Sequence, residues 1–377
     1  MLERLDEIDW ATLKHARGAA TDVPDRLRAL RSPDPAAREA ALRELRETVV
    51  SQGARYSAAP WVIPALYELI FARDTPGRAA LLSFLVDLGV GEADGFLPIG
   101  YAPLEMSELF AQAQASMTPE QRALCDELGV GPVTDQVCYD TVIVSLLDTI
   151  ALLEDPEPAV RQAVAYLLAW FPGEGCSSVP PLQARLAAEQ DPALVANLVL
   201  ALGLLALQSV HEVDAGPIRA RLRDERLVVR AAAAIALALS EPEDAVLDVL
   251  IEACEAPEEL LACGLPWNSG DLAGYASLVL AATGGHRLER VVPALCAALE
   301  RAAPAGVLDL TQSLLHLVQP EEGYEGVPGT DLSPLARDTL RAIARHPAWE
   351  TQGEDLSGML GSYGLPKTQG ELRVYVD

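Results

Sequence analysis

Hydrophobic positions along this chain fall mostly at helical spacing. In "DPEPAVRQAVAYLLAWFP" (155–172), Val160, Ala163, Val164, Leu167, Leu168 and Phe171 lie on one stripe. Pro158 stands in the first turn, where a missing N–H is harmless, and Asp155 or Glu157 can cap or charge that end. The stretch predicts an amphipathic helix beginning just after the acidic residues.

The pattern recurs. "EQDPALVANLVLALGLLA" (189–206) places Asp191-Pro192 where Glu157-Pro158 stood. "RDERLVVRAAAAIALALS" (223–240) contains Asp224 and puts Val229-Arg230 where Val160-Arg161 stood. Upstream, "RSPDPAAREAALRELRETVV" (31–50) carries the same opening and ends it at Arg38. Arg161, Val195 and Arg230 are 34 and 35 residues apart. A second helical stretch precedes each copy, in "VPPLQARLAAE" (179–189) and "AGPIRARLRD" (215–224), and "ERVVPALCAALERA" (289–302) is of the same kind. Pro180, Pro217 and Pro293 stand near their starts. A first helix, a short Asp/Pro turn and a nearly all-apolar second helix make an α-solenoid repeat, the second helix being apolar all round because it lies between neighbours. The Trp, Gly and Tyr positions of tetratricopeptide repeats and the TPLH of ankyrin repeats are missing.

The remaining pattern, with its D-P-x-x-x-V-R turn, resembles HEAT-type repeats of the short bacterial, lyase-type variety, over roughly 24–50, 60–90, 137–172, 179–208, 215–240, 245–283 and 289–318. "SQGARYSAAPWVIPALYEL" (51–69), "CYDTV" (138–142), "AYLLAWFP" (165–172), "GDLAGYASL" (270–278) and "GLPKTQGELRVY" (364–375) are similar to segments of a bacterial family of HEAT-repeat proteins without an assigned activity. The resemblance implies an all-α fold, a right-handed superhelix of helical hairpins in a single elongated domain. Its segments are an N-terminal cap and first repeats (1–90), an insertion with short helices near 104–115 and 119–128 (91–136), the repeat array (137–318) and closing helices with a tail (319–377).

The insertions at 91–136 and 255–274 break the regularity, and such insertions map to one face of a repeat array, often the binding face. Trp267, Asn268, Asp271 and Tyr275, with Tyr101 in the first insertion, are therefore the candidate partner-binding residues, because Trp and Tyr often anchor interfaces. The competing expectation for Trp267 is a plug between adjacent units. Trp10 and Trp61 are expected to pack as the cap of the array. Arg38, Arg161 and Arg230, with Asp155, Asp191 and Asp224, are expected to serve the repeat turns, each arginine bridging to acids of its own or the next unit.

Composition agrees with closely packed helices: 377 residues, 50% hydrophobic and only 5% aromatic. The formal charge of −27 is uneven, since residues 1–50 carry 10 acidic and 9 basic side chains and the rest carry 45 and 19. Such a surface repels phosphate backbones and anionic membranes, and attracts a basic protein. The six cysteines form no CxxC pair, the N-terminus lacks the apolar core of a signal peptide, and no unbroken apolar run reaches about 18 residues. A cytoplasmic chain with reduced thiols is expected.

Catalytic patterns are sparse. "HEVDA" (211–215) lacks the second histidine of a zinc-protease helix, "LPKT" (365–368) lacks a glycine-rich loop, and neither GxSxG nor GxGxxG occurs. The His-Glu pair is not repeated, unlike in HEAT-type metal-dependent hydroxylases, and the charge is opposite to that of HEAT-like alkylpurine glycosylases. No cofactor, metal or catalytic residue is expected. The reading is a protein-binding scaffold or adaptor with a concave acidic surface, in its specific form an inhibitor or immunity-type protein for a basic partner. The alternative is an enzyme or small-molecule binder with a pocket under either insertion.

Overall fold

The computed structural model describes residues 2–51, 53–209, 211–302, 304–321 and 323–377. It is all-α, 74% helical, with two two-residue β-hairpins near the N-terminus, Lys14–His15 with Gly18–Ala19 and Val50–Ser51 with Ala54–Arg55. By internal contacts the chain divides into two compact units, residues 1–190 with 204–213 and residues 191–203 with 214–377.

The first unit holds α1 (Val23–Ala29), α2 (Pro35–Val49), α3 (Ala59–Phe71), α4 (Arg78–Val90), α5 (Pro103–Ser116), α6 (Pro119–Leu128), α7 (Pro132–Leu146), α8 (Pro158–Ala169) and α9 (Gly175–Ala188). Helix α10 (Pro192–Gln208) belongs to the second unit through Gly203 and to the first beyond it. The second unit continues with α11 (Ala215–Ala220), α12 (Leu227–Ala238), α13 (Asp244–Glu255), α14 (Pro257–Leu261), α15 (Leu272–Thr283), α16 (Leu288–Arg301), α17 (Pro304–Val318), α18 (Pro334–Arg345), α19 (Gly353–Ser362) and α20 (Gln369–Val376).

In the first unit α3 packs on α4 and α7, and α4 packs on α7 and α8. In the second, α12 packs on α13 and α15, α13 on α15 and α16, α15 on α17, and α16 on α17 and α18. Helices α8, α12 and α15 are buried along most of their length, as their all-round apolar sequences require. Helices α10 and α12 approach so closely that a Cβ on Gly203 would collide with Ala236.

Acidic turn residues brace the helix starts, Asp34 and Asp191 as caps and Asp155 and Asp224 in the turn just ahead of the N-cap. Asp34 Oδ1 accepts the Ala36 N–H, Asp155 Oδ1 that of Glu157, Asp191 Oδ1 those of Ala193 and Leu194, and Asp224 Oδ1 that of Arg226. Pro35, Pro158 and Pro192 each open their helix, where no N–H is needed. The start of α9 lies four residues before the stretch read from the sequence, and that of α16 one residue before. Helices α9 and α16 begin at Gly175 and Leu288, so Pro180 and Pro293 lie inside them.

One stretch, Pro132–Glu154 (α7 and the 3-10 helix after it), is long and apolar enough by length and composition to cross a membrane, with 33% of its most apolar window buried. The sequence reading excluded such a segment by counting unbroken apolar runs, which Asp135, Asp140 and Asp148 interrupt. The buried Tyr67 hydroxyl donates to the Val142 carbonyl at 2.6 Å, which ties this stretch to α3.

Candidate functional site

The 255–274 insertion forms α14 and a tight 3-10 turn, Trp267–Gly270. Trp267 is 0% exposed, its Nε1 donates to Asn197 Oδ1 of α10 at 2.9 Å, and its ring stacks on Tyr275 with centroids 6.4 Å apart. Asn197, the lone polar residue within the apolar run of α10, thus meets an indole donor. The chain can turn this sharply because Asn268 and Ser269 both take the left-handed conformation, at φ 51° and 54°. Two consecutive non-glycine residues there cost on the order of 1–2 kcal/mol each, offset by the buried indole and the bonds of Asn268. Asn268 Nδ2 donates to the Asp271 carbonyl at 3.0 Å and to Asp309 Oδ2 at 2.6 Å, while Asp271 Oδ1 caps α15 through the Gly274 N–H at 2.8 Å.

Tyr101 is equally enclosed. It stands in an aromatic ladder, edge-on to Phe96 at 5.0 Å and stacked on Tyr139 at 5.1 Å, and Tyr139 in turn stacks on Phe171 at 5.0 Å. Burial pushes the Tyr101 hydroxyl up to about 12. The docking expectation for Trp267, Asn268, Tyr275 and Tyr101 is therefore replaced by a packing role, since buried side chains present no area to a partner. Of that set only Asp271 is partly exposed.

Asp271 lines a cleft of about 330 Å³ at the inner edge of the insertion. Its walls are Pro257 and Leu261 of α14, Ala273 of α15, Ala298 of α16, Ala302, and Leu310 of α17. Glu258 and Arg301 also line it. Gly274 leaves room for the polar groups at its base, because a Cβ there would collide with the carboxylates of Asp309 and Asp271 and with the Asn268 amide. Alanine is ordinarily the better helix residue, by about 1 kcal/mol. Gly274→Ala is nevertheless expected to destabilise the chain by about 1–3 kcal/mol, the cost of overpacking, read as a lower midpoint in urea. An unchanged or raised midpoint would show that these groups move apart freely. Cys254, also in the wall, is fully buried; desolvation drives its thiol far up, and its Sγ contacts the Ala273 carbonyl at 3.6 Å. Such burial disfavours the thiolate, the form that acts as a nucleophile. Among the described residues no group of three or more His, Cys, Asp or Glu side chains could hold a metal ion.

The repeat-turn arginines share one geometry. Nη1 of Arg38 donates to the carbonyls of Ser32 and Pro33, that of Arg161 to Asp155 and Pro156, and that of Arg230 to Asp224 and Glu225. Each guanidinium thus spans its own turn, five and six residues back. Arg161 also reaches Glu189 at 3.3 Å, and Arg230 pairs with Glu252.

A second feature was not anticipated. Trp61, expected to pack as a cap, is 48% exposed, because α3 turns Val62, Ile63 and Leu66 inward and leaves Trp61 outside. It overhangs a groove of about 500 Å³ lined by Leu13, Pro60, Pro64, Val133, Val137 and Thr141, among others. Val133, Val137, Thr141 and Val144 recur at helical spacing on α7, and Val133, Val137 and Val144 are exposed. The pair of buried Arg55 with half-buried Asp135 at 2.9 Å and the Ser57 N–H bond to the Gly129 carbonyl fix the start of α7 against α3. Just before α7 in sequence, α5 and α6 bury no side chain and expose Leu104 (81%), Leu109, Leu124 and Leu128. The signal in the sequence is that α7 carries two apolar stripes, the buried Cys138, Tyr139, Val142 and Leu146 and the exposed Val133, Val137 and Val144.

No protein-family profile matches the chain, and no curated protein matches its sequence.

Proposed function

We propose that this chain is a HEAT-type α-solenoid that works as a cytoplasmic protein-binding scaffold, in its specific form an inhibitor or immunity-type protein that captures a basic partner. The packing of successive hairpins within the second unit supports the solenoid reading, since like-placed helices (α13, α16 and α18; α12, α15 and α17) contact one another in chain order.

The observation that carries the binding reading is the exposed apolar surface of the first unit, the Trp61 groove on α3 and α7 together with the uncovered leucines of α5 and α6. Clustered exposed side chains of this size mark interaction sites, and tryptophan is the residue type most enriched at their energetic centres. The charge of −27 supports a basic partner, drawn in by electrostatic steering.

The test is capture from extracts of the cells that make the protein, followed by identification and purification of the captured protein. Its affinity is then measured against wild type, Trp61→Ser and Val137→Asp. Both variants are expected to bind at least about tenfold more weakly while melting within about 0.5 kcal/mol of wild type, as surface changes do. The association rate is expected to fall as salt rises from low to physiological. An acidic captured partner, or affinity untouched by both substitutions, would refute the reading.

A further inference from the structure

The cleft beside α14 combines apolar walls with an acidic border. Leu261, Ala298, Ala302 and Leu310 supply the walls, and Leu261 remains more than half exposed at the mouth. Asp271 and Glu258 line the same space, and a shallower recess continuing past Pro257 adds Glu255 and Glu259. Arg301 is the cationic residue of this lining, and it leans on Glu255 at 3.7 Å. Four carboxylates against one guanidinium leave a negative border on an apolar slot. Its volume is at the lower end of the range of ligand pockets, about 300–1,000 Å³.

A neutral apolar side chain would fill the slot and ignore the border. An acidic one would be repelled by it. A lysine or arginine matches both parts, because its aliphatic stem lies along apolar surface while its charged head stays among polar groups. We propose that the cleft lined by Leu261, Ala302, Leu310, Asp271 and Glu258 receives a lysine or arginine side chain of the partner protein. This rests on the basic-partner reading and adds to it a discrete pocket in the second unit, where diffuse attraction becomes a located contact.

The probe is hexalysine amide, titrated calorimetrically at low ionic strength into the full chain, alongside the same peptide acetylated on every side-chain amine. Asp271→Asn keeps the helix cap, since Asn caps about as well as Asp, and removes one charge. Ala302→Phe fills the slot without altering charge, and Leu261→Ser strips its apolar mouth at an exposed position. Glu354→Gln removes an exposed carboxylate of α19 that does not line the cleft and serves as the control for net charge alone.

Hexalysine is expected to bind wild type, and the acetylated peptide at least about tenfold more weakly. Asp271→Asn and Leu261→Ser are expected to lose several-fold in affinity, Ala302→Phe about tenfold, and Glu354→Gln less than twofold. Thermal melts report whether each variant folds. Should Ala302→Phe misfold, the other two decide. If Asp271→Asn and Leu261→Ser bind hexalysine no worse than Glu354→Gln, or wild type does not bind it at all, the cleft assignment is overturned. The scaffold reading is judged separately, by the Trp61 and Val137 substitutions on the captured protein.

Discussion

Asp155→Ala is expected to lower the unfolding free energy by about 3–5 kcal/mol, the largest loss expected from any single turn residue. Asp155 and Arg78 are both buried and meet through two parallel bonds, Nη1 to Oδ2 at 2.9 Å and Nη2 to Oδ1 at 3.0 Å. The same carboxylate accepts the Glu157 N–H that starts α8, and the Asp155 carbonyl accepts Arg161 Nη1. Truncation thus strands a guanidinium away from water and loosens the turn that leads into α8. Arg78→Leu with Asp155→Leu is expected to cost less than the sum of the two single changes, because the double variant leaves no unpaired charge. Urea unfolding midpoints of the four proteins measure this, and simple additivity would show that the pair is not coupled.

The pair also sets an acid limb. The Arg78 guanidinium, together with the Glu157 N–H, outweighs burial and holds the Asp155 carboxyl below its ordinary value. Arg226 acts likewise on Asp224, which is lowered to about 2. A depressed folded-state value contributes stability above the unfolded value of roughly 4, and that contribution is lost as pH falls through the folded value. Wild-type stability is expected to decline between about pH 4 and pH 2, and the decline is expected to be shallower in Asp155→Ala. Equal slopes in the two proteins would remove Asp155 from the account.

Trp267→Ala is the second large effect, about 3–5 kcal/mol for a buried ring of this size. Trp267→Phe refills most of the space but takes the indole donor from Asn197 Oδ1, a loss of about 1–3 kcal/mol. Measured where the variants remain folded, capture of the partner is expected to be unaffected by Trp267→Phe. Had Trp267 been a docking residue, the order would invert, with capture lost and the melting temperature kept. The two readouts therefore separate packing from docking at this position.

Helix positions and the all-α class were legible because their physics is local. Asp-Pro at a turn followed by an apolar run specifies a helix start: Asp191 caps α10, while Asp155 and Asp224 stand two residues ahead of the N-caps of α8 and α12 and hold the turns that lead into them. Exposure was less legible, because it depends on how many neighbours a helix meets. Trp267 and Trp61 look alike in sequence, each beside proline at the edge of an apolar run. One is closed over by α10 and the other is left outside by the rotation of α3. The cleft was foreseen only as a place under an insertion. Its walls come from Leu261, Ala298 and Leu310, spread over about fifty residues, and nothing in their local sequence marks them as neighbours.

The guanidiniums of Arg38, Arg161 and Arg230 each close on carbonyls no more than six residues away. Such a clasp travels with the stretch of gene that encodes it. A segment duplicated or deleted at this boundary carries its own fastening, so the chain can lengthen or shorten during descent without a compensating change elsewhere at that bend.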